Sequence, residues 1–204
     1  MPDFVGKSRV AYNKKAEGYT NSREGQFTHG LQRLLLAEMK WAEHQNVLDV
    51  ACGNGSLLAA INNIKPIIGF GIDIAERMIE NAIADNPDME FHVSGCDSMP
   101  FGDGVMDIIT VCAAYHHFPD TAAFAHESKR VLKPNGRVYI AEIYLPFPLR
   151  LILNPFVPLT SEGDVKIYSP DMICRNFEQC GFERESVKIS GNVQIVSMVT
   201  EVER

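Results

Sequence analysis

Apolar and polar residues alternate along this chain in two periods, a short one suited to strands and a longer one suited to helices. Val47-Leu48-Asp49-Val50 is a brief β-branched run, and Ser56 to Ile61 then repeats apolar residues at helical spacing. Pro66 to Ile72 predicts a second strand ending in Asp73, Ile74 to Asp85 a helix, and Asn86-Pro87-Asp88 a turn. Glu90 to Ser94 reads as a third short strand and Asp107 to Cys112 as a continuous apolar one. A helix from about Thr121 to Leu132 stops at Lys133-Pro134-Asn135-Gly136, and Arg137 to Ile143 is the fifth strand. Five strands alternating with helices predict a parallel sheet built by right-handed crossovers. The tail differs. Ser169-Pro170-Asp171 opens a helix, with Ser169 or Asp171 as cap, that reaches about Cys180. Glu183–Ser190 and Asn192–Glu201 then read as strands joined by Ser190-Gly191-Asn192, a hairpin signal that sets an antiparallel pair at the sheet edge.

Before the first strand, residues 28–43 place Leu31, Leu34, Leu35, Met39 and Trp41 at helical spacing. The polar residues 1–23 carry Tyr12 and Tyr19 seven apart, on one face if the segment is helical. They either pack on the core or belong to a flap over a ligand. Residues 144–159 are strongly apolar yet interrupted by Pro146, Pro148, Pro155 and Pro158, too broken for a core strand or a long helix. Such a loop is expected to be a lid over a hydrophobic substrate or a contact between two copies, with a membrane-touching patch ranked third. The expected organisation is one domain: a helical cap over 1–45, a ligand-binding core over 46–143, an apolar lid or interface over 144–168, and a helix with a strand hairpin over 169–204.

Composition narrows the function. With 204 residues, 46% of them hydrophobic, the chain can bury a substantial core. The net charge is −7, and from Asp73 to Asp107 nine acids stand against Arg77 alone. No basic stripe with interleaved aromatics appears, so no nucleic-acid partner is expected. The start of the chain lacks a signal-peptide core, no apolar run is long enough for stable membrane insertion, and the five cysteines form no C-x-x-C pair. Reduced thiols in a cytoplasmic protein are the expectation.

Candidate chemistry gathers where the first strand ends. Gly53-Asn54-Gly55 joins that strand to the helix at Ser56. Absent Cβ atoms let the chain turn tightly and let a ligand approach the main chain, with the helix amides directed at it. The sheet is therefore expected to be Rossmann-like, binding its ligand beyond the carboxyl ends of its strands. Leu58 stands where a dinucleotide fingerprint has its third glycine, which counts against a nicotinamide cofactor. Asp73, 18 residues after Gly55, is placed to accept from both hydroxyls of a ribose or, alternatively, to cap the following helix.

These residues, together with Cys96-Asp97-Ser98-Met99-Pro100-Phe101, the stretch Phe101 to Ile109 and Leu132-Lys133-Pro134-Asn135-Gly136-Arg137-Val138, occur in an order and spacing that resembles the class I S-adenosylmethionine-dependent methyltransferases. The chain looks most like the branch that includes ubiquinone/menaquinone-biosynthesis-type enzymes, from about residue 45 to 143. The resemblance implies that Asp49, Ala51, Gly53 and Gly55 hold the methionine part of S-adenosylmethionine, and Asp73 the ribose. It places Ile74 beside the adenine, Asp97 with the Ser98 backbone at the adenine amino group, and Cys112 with Ala113 near the reactive methyl. Tyr12 and Tyr19 would cover the cofactor, with S-adenosylhomocysteine as product. Asn135 replaces a usual glycine, which affects only a turn. His116 and His117 stand where a general base for the acceptor could sit, His116 preferred for its place beside Tyr115; in related sequences such a loop is often structural. No metal is signalled. The implied activity is in-line methyl transfer to a small-molecule acceptor; the apolar 144–159 segment suggests a hydrophobic acceptor or, on its other reading, a homodimer contact. Two alternatives stay open: a non-catalytic module that binds the same cofactor, and an NAD-dependent oxidoreductase on the same kind of sheet.

Overall fold

Strand and helix alternate in the computed structural model, which describes residues 3–201; the outermost residues of the expected N-terminal cap and C-terminal segment lie outside this range. The seven strands are β1 (Asn46–Val50), β2 (Ile68–Asp73), β3 (Glu90–Val93), β4 (Met106–Cys112), β5 (Leu132–Ile143), β6 (Phe182–Ser190) and β7 (Val193–Thr200). They form one sheet in the order β3-β2-β1-β4-β5-β7-β6. The first five are parallel, and β7 runs antiparallel to both β5 and β6. The order reverses direction between β1 and β4, which opens a crevice beyond the carboxyl ends of those two strands. The expected α/β, Rossmann-like sheet with its antiparallel pair is the one observed.

Seven helices flank the sheet among the described residues: α1 (Phe4–Lys15), α2 (Arg23–Glu38), α3 (Ser56–Ile64), α4 (Glu76–Asp85), α5 (Thr121–Val131), α6 (Phe147–Leu153) and α7 (Pro170–Glu178). Alternation along the strands sends Val47 and Ile108 to one face, where Leu35 of α2, Leu58 of α3 and Ile79 of α4 cover them. Leu48, Val50, Ile109 and Val111 face the other way, onto Phe124 of α5 and Phe177 of α7. Continuous apolar strands follow from burial on both faces.

Several boundaries depart from the sequence pattern for local reasons. Pro66 has no N–H for a ladder, and β2 begins only at Ile68, whose amide donates to the Gln45 carbonyl. α4 starts at Glu76 because the Asp73 carboxylate takes the Ala75 amide and holds residues 73–75 in a turn. α2 runs from Arg23 to Glu38, with the Ser22 hydroxyl accepting from the Gly25 amide, so Met39 and Trp41 lie beyond its end. Gly18, at φ 77°, stops the N-terminal helix before Tyr19, which opens a separate 3₁₀ turn. Tyr12 and Tyr19 therefore share no helix face, yet their rings meet edge-on at 6.2 Å. Lys133 to Gly136 bulges out of β5, with Asn135 at φ 63°. Ser169, not Asp171, caps α7.

The segment after β5 divides in two. Over α6 and the 3₁₀ turn Val157–Leu159 the apolar side chains of Phe147, Leu151, Ile152, Phe156 and Leu159 are exposed. Residues 160–168 instead fold back on the body: the Ser8 hydroxyl donates to the Glu162 carbonyl and the Val165 amide to the His116 carbonyl.

Candidate functional site

The crevice at the ends of β1, β2 and β4 holds a cavity of about 200 Å³. On its floor Asp49 projects from β1, buried, with one carboxylate oxygen accepting from the Thr110 hydroxyl of β4 at 2.7 Å. Burial pushes its carboxyl up to about 7; the nearby Asp73 charge adds to this and the Thr110 hydrogen bond opposes it. No described cationic side chain pairs with either acid. Asp73, at the end of β2, accepts from the Gly53 amide through Oδ2 (2.9 Å) and from the Ala75 amide through Oδ1 (2.8 Å). Burial raises its carboxyl and those two amide bonds pull against the shift. The carboxylate thus stitches the glycine turn to β2 and keeps its other lone pairs for the cavity.

The turn itself is strained in one direction. Ala51, Gly53 and Gly55 all have positive φ, and Ala113 at the end of β4 has the same. A Cβ on Gly53 would meet nothing within 4 Å, so that residue's missing side chain is open space in the cavity wall. At Gly55 a Cβ would approach Phe91 and Asn86, which makes that glycine a packing requirement behind the wall. Left-handed alanines at two strand ends cluster where a ligand is expected.

The N-terminal elements supply the opposite wall. Tyr12, Tyr19, Thr28 and Gln32 line the cavity, and Asn54 donates to the Thr20 hydroxyl across its mouth. The Tyr12 hydroxyl donates to Glu24 Oε1 and lies 3.0 Å from His117 Nε2. Asp97 lines the far rim beside Cys96 and is exposed.

His116 and His117 lie in the 3₁₀ turn Tyr115–His117 after β4. Tyr115 turns into the core, where Asn176 donates to its hydroxyl, while His117 forms part of the cavity wall. His116 sits behind it, its Nδ1 2.9 Å from Oε2 of Glu142, a fully buried acid on β5. Burial disfavours a charge on His116, but Glu142 and Asp164 outweigh it and raise its pKa. Burial and the charge of His116 lower His117 to about 4. Of the two histidines His117 lines the cavity, and His116, preferred from sequence for its place beside Tyr115, sits behind it.

A family profile described as "Methyltransferase domain" matches residues 48–140. A demethylmenaquinone methyltransferase of Thermotoga maritima is 30% identical over 161 residues, 68% of this chain and 70% of the relative. The chain belongs to the class I S-adenosylmethionine-dependent methyltransferases. A second demethylmenaquinone methyltransferase, from Chlorobaculum parvum, is 35% identical over 100 residues, 49% of this chain and 42% of the relative. The chain spans about half the length of most curated relatives it matches. Its fold superposes with a TM-score of 0.80 and 22% identity on a chain of the complex between the Haloferax volcanii Trm112 methyltransferase activator and the putative methyltransferase, covering 93% of this chain and 97% of that one.

The cavity gathers Tyr12, Tyr19, Asp49, Ala51, Gly53, Asp73, Ile74, Asp97, Cys112 and His117. Gly55, Ser98 and His116 stand behind or beside the wall. Ser98 is exposed, and its carbonyl accepts from the Ser94 hydroxyl. No residue of 144–159 reaches the cavity. Sequence reasoning passed over Glu142 and Asp164. A lone acid inside the apolar run Val138–Ile143 was a signal for the first. Asp164 lies in a loop whose return to the site no local pattern announces.

Proposed function

We propose that this protein transfers a methyl group from S-adenosylmethionine to a small-molecule acceptor by in-line displacement. The observation that carries the reading is a pair of buried carboxylates, Asp49 and Asp73, with no cationic partner among the described residues, facing one cavity beside the open Gly53 wall. A buried acid pushed up to about 7 fits a ligand that brings positive charge. When bound, the sulfonium supplies an already activated methyl group, so alignment is the main demand on the protein. In this reading Asp73 takes the vicinal hydroxyls through its free lone pairs and Asp49 faces the charged methionyl end. Asp97 with Ser98 meets the adenine amine, Ile74 packs on the base, and Tyr12 and Tyr19 close the near side. His117, with His116 behind it, stands on the acceptor side with Phe118 and Val5.

The acceptor wall of Val5, Tyr12, Ala113 and Phe118 suits an apolar, flat molecule, in keeping with relatives named for demethylmenaquinone. The exposed apolar face over residues 147–159 suits the delivery of such a molecule or contact with a second copy. All five cysteines are free thiols, which fits a cytoplasmic setting. Among the described residues no helix is long and apolar enough to cross a membrane.

Calorimetric titration with S-adenosylmethionine, S-adenosylhomocysteine and NADH tests the cofactor. Micromolar binding of the two adenosyl sulfur ligands is expected, weakened about ten- to hundredfold in Asp73→Asn, which removes the charge and one of the two oxygens that accept from the Gly53 and Ala75 amides. Binding of NADH alone, or of none of the three, overturns the reading. Methyl release from labelled donor with a panel of quinols and phenols then separates an enzyme from a silent binder.

A further inference from the structure

We propose that this chain binds one divalent transition-metal ion through Nε2 of His116, Nδ1 of His117 and the carboxylate of Asp164. Consecutive histidines in a strand would point to opposite sides. Here the 3₁₀ turn brings both rings to one side, their centroids 4.1 Å apart. Asp164 Oδ1 lies 3.1 Å from His117 Nδ1 and 3.5 Å from His116 Nε2, and all three ligand atoms fall within 4.8 Å of one another. Ligands at the usual ~2.0–2.2 Å from a zinc-type ion stand about 3–3.5 Å apart, which is the spacing both Asp164 pairs show.

The hydrogen bonds around the rings say which nitrogens are free. Tyr12 gives its proton to Glu24, whose other oxygen is held by Lys15 at 2.6 Å. His117 Nε2, 3.0 Å from that Tyr12 oxygen, must then be the N–H donor, and its Nδ1 carries the lone pair. That Nδ1 is buried and faces the Asp164 oxygen at 3.1 Å without a well-aligned hydrogen bond, and the Gly163 carbonyl beside the ring favours a positive charge there. A lone pair set against a carboxylate oxygen, closed off from water, is relieved by a cation between them. His116 is arranged in the same sense. Its Nδ1 meets Glu142 Oε2, which also accepts the His116 amide at 3.2 Å, while Glu142 Oε1 accepts from the Ile143 amide at 2.7 Å. Nε2 is left aimed at Asp164. Each imidazole thus has its outward nitrogen held by a partner, the arrangement that orients metal-bound histidines.

The third ligand is held in place by its own supports. A Cβ on Gly163 would fall 2.4 Å from the Phe4 carbonyl oxygen, so the loop lies directly on α1. Ser8 and Lys15 of α1 both grip Glu162, by its carbonyl and its carboxylate. Val165 and His116 join main chains on the other side. Two imidazoles and one carboxylate suit zinc, iron(II), cobalt or manganese better than magnesium or calcium. Because His117 also walls the cavity, the ion would offer an acceptor oxygen a coordination position; this consequence rests on the methyltransferase reading, whereas the metal site does not.

The test uses the whole protein, stripped with a chelator and titrated with Co²⁺ and then Zn²⁺, followed by visible absorption, calorimetry and melting. Expected are one equivalent of Co²⁺ with visible d–d bands and no thiolate-to-cobalt charge-transfer band, displaced by Zn²⁺, and a higher melting temperature with metal. Asp164→Asn, judged folded by its metal-free melt, should lose the bands and the melting shift. Glu142→Gln should weaken binding about 10–100-fold, and His126→Gln, at an exposed position on α5, should leave it unchanged. Absence of the bands in the wild-type protein overturns the proposal, whatever the variants do. So does a thiolate charge-transfer band, or binding that survives Asp164→Asn. None of these readouts depends on methyl transfer, so an inactive but metal-binding protein would sink the proposed activity and leave the site standing.

Discussion

Asp49 sets fold against function within one side chain. The groups that face it are the Thr110 hydroxyl, the Asp73 carboxylate and the Cys52 and Cys112 thiols, none of them positive. Its carboxyl titrates near 4 in an unfolded chain and at about 7 in the fold. Between those values the folded state holds the extra proton, so stability falls as pH rises from about 4 to about 7. Asp49→Asn keeps an acceptor for Thr110 and removes the buried charge. It should therefore stabilise the ligand-free protein by about 2–4 kcal/mol at pH ~8 and by nothing at pH ~4, as read by denaturant melts. The same change should weaken S-adenosylmethionine, a trade of stability against use. Asp73 could be picked out as an acid at the end of an apolar strand and Asp49 through the family resemblance, and both line the cavity. The choice between His116 and His117, and the return of Asp164 to the site, could not be read from sequence. Which of two adjacent histidines faces a cavity depends on the torsions of one turn, and Asp164 arrives from 47 residues further along a loop without periodicity.

Elements were read best where burial on both faces imposed a pattern. β1, β4 and α3 matched to within about one to three residues, since an apolar run between turn residues admits few alternatives. Ends fixed by side-chain hydrogen bonds were missed, such as the start of α4 at the Asp73 turn, because propensity does not see a single carboxylate. The segment after β5 shows a different limit. Its hydrophobicity invited a lid, yet α6 stands in solvent away from the cavity, with Leu151 and Ile152 both 63% exposed. A Leu151→Ser/Ile152→Ser pair should change unfolding free energy by no more than about 0.5 kcal/mol, since it removes no core contact. A loss of several kcal/mol in a melt would show that the face is covered in solution.

For the whole molecule the strand order matters most, because it sets the crevice between β1 and β4 and brings three distant stretches to it. The alternation of strands and helices implied a parallel sheet with right-handed crossovers but left the strand order open, because doubly wound sheets occur in more than one order. Ligand binding there couples the N-terminal cap to the sheet: Tyr12 and Tyr19 come from one, Asp49 and Asp73 from the other. S-adenosylhomocysteine at a hundredfold over its Kd should add about 2.7 kcal/mol, or roughly 5–10 °C in melting temperature. Amide exchange in α1, whose only buried side chain is Ser8, should slow most in the complex.

The place of β7 between β5 and β6 bears on how the chain is made. β5 is largely apolar, and its outer edge is paired in the finished fold by β7, which starts roughly 50 residues after β5 ends. At about 5–20 residues per second, a ribosome leaves that edge unsatisfied for roughly 3–10 s. During this interval the nascent sheet has an open side able to pair with a neighbouring chain on the same messenger. Slow codons between β5 and β7 would lengthen the exposure.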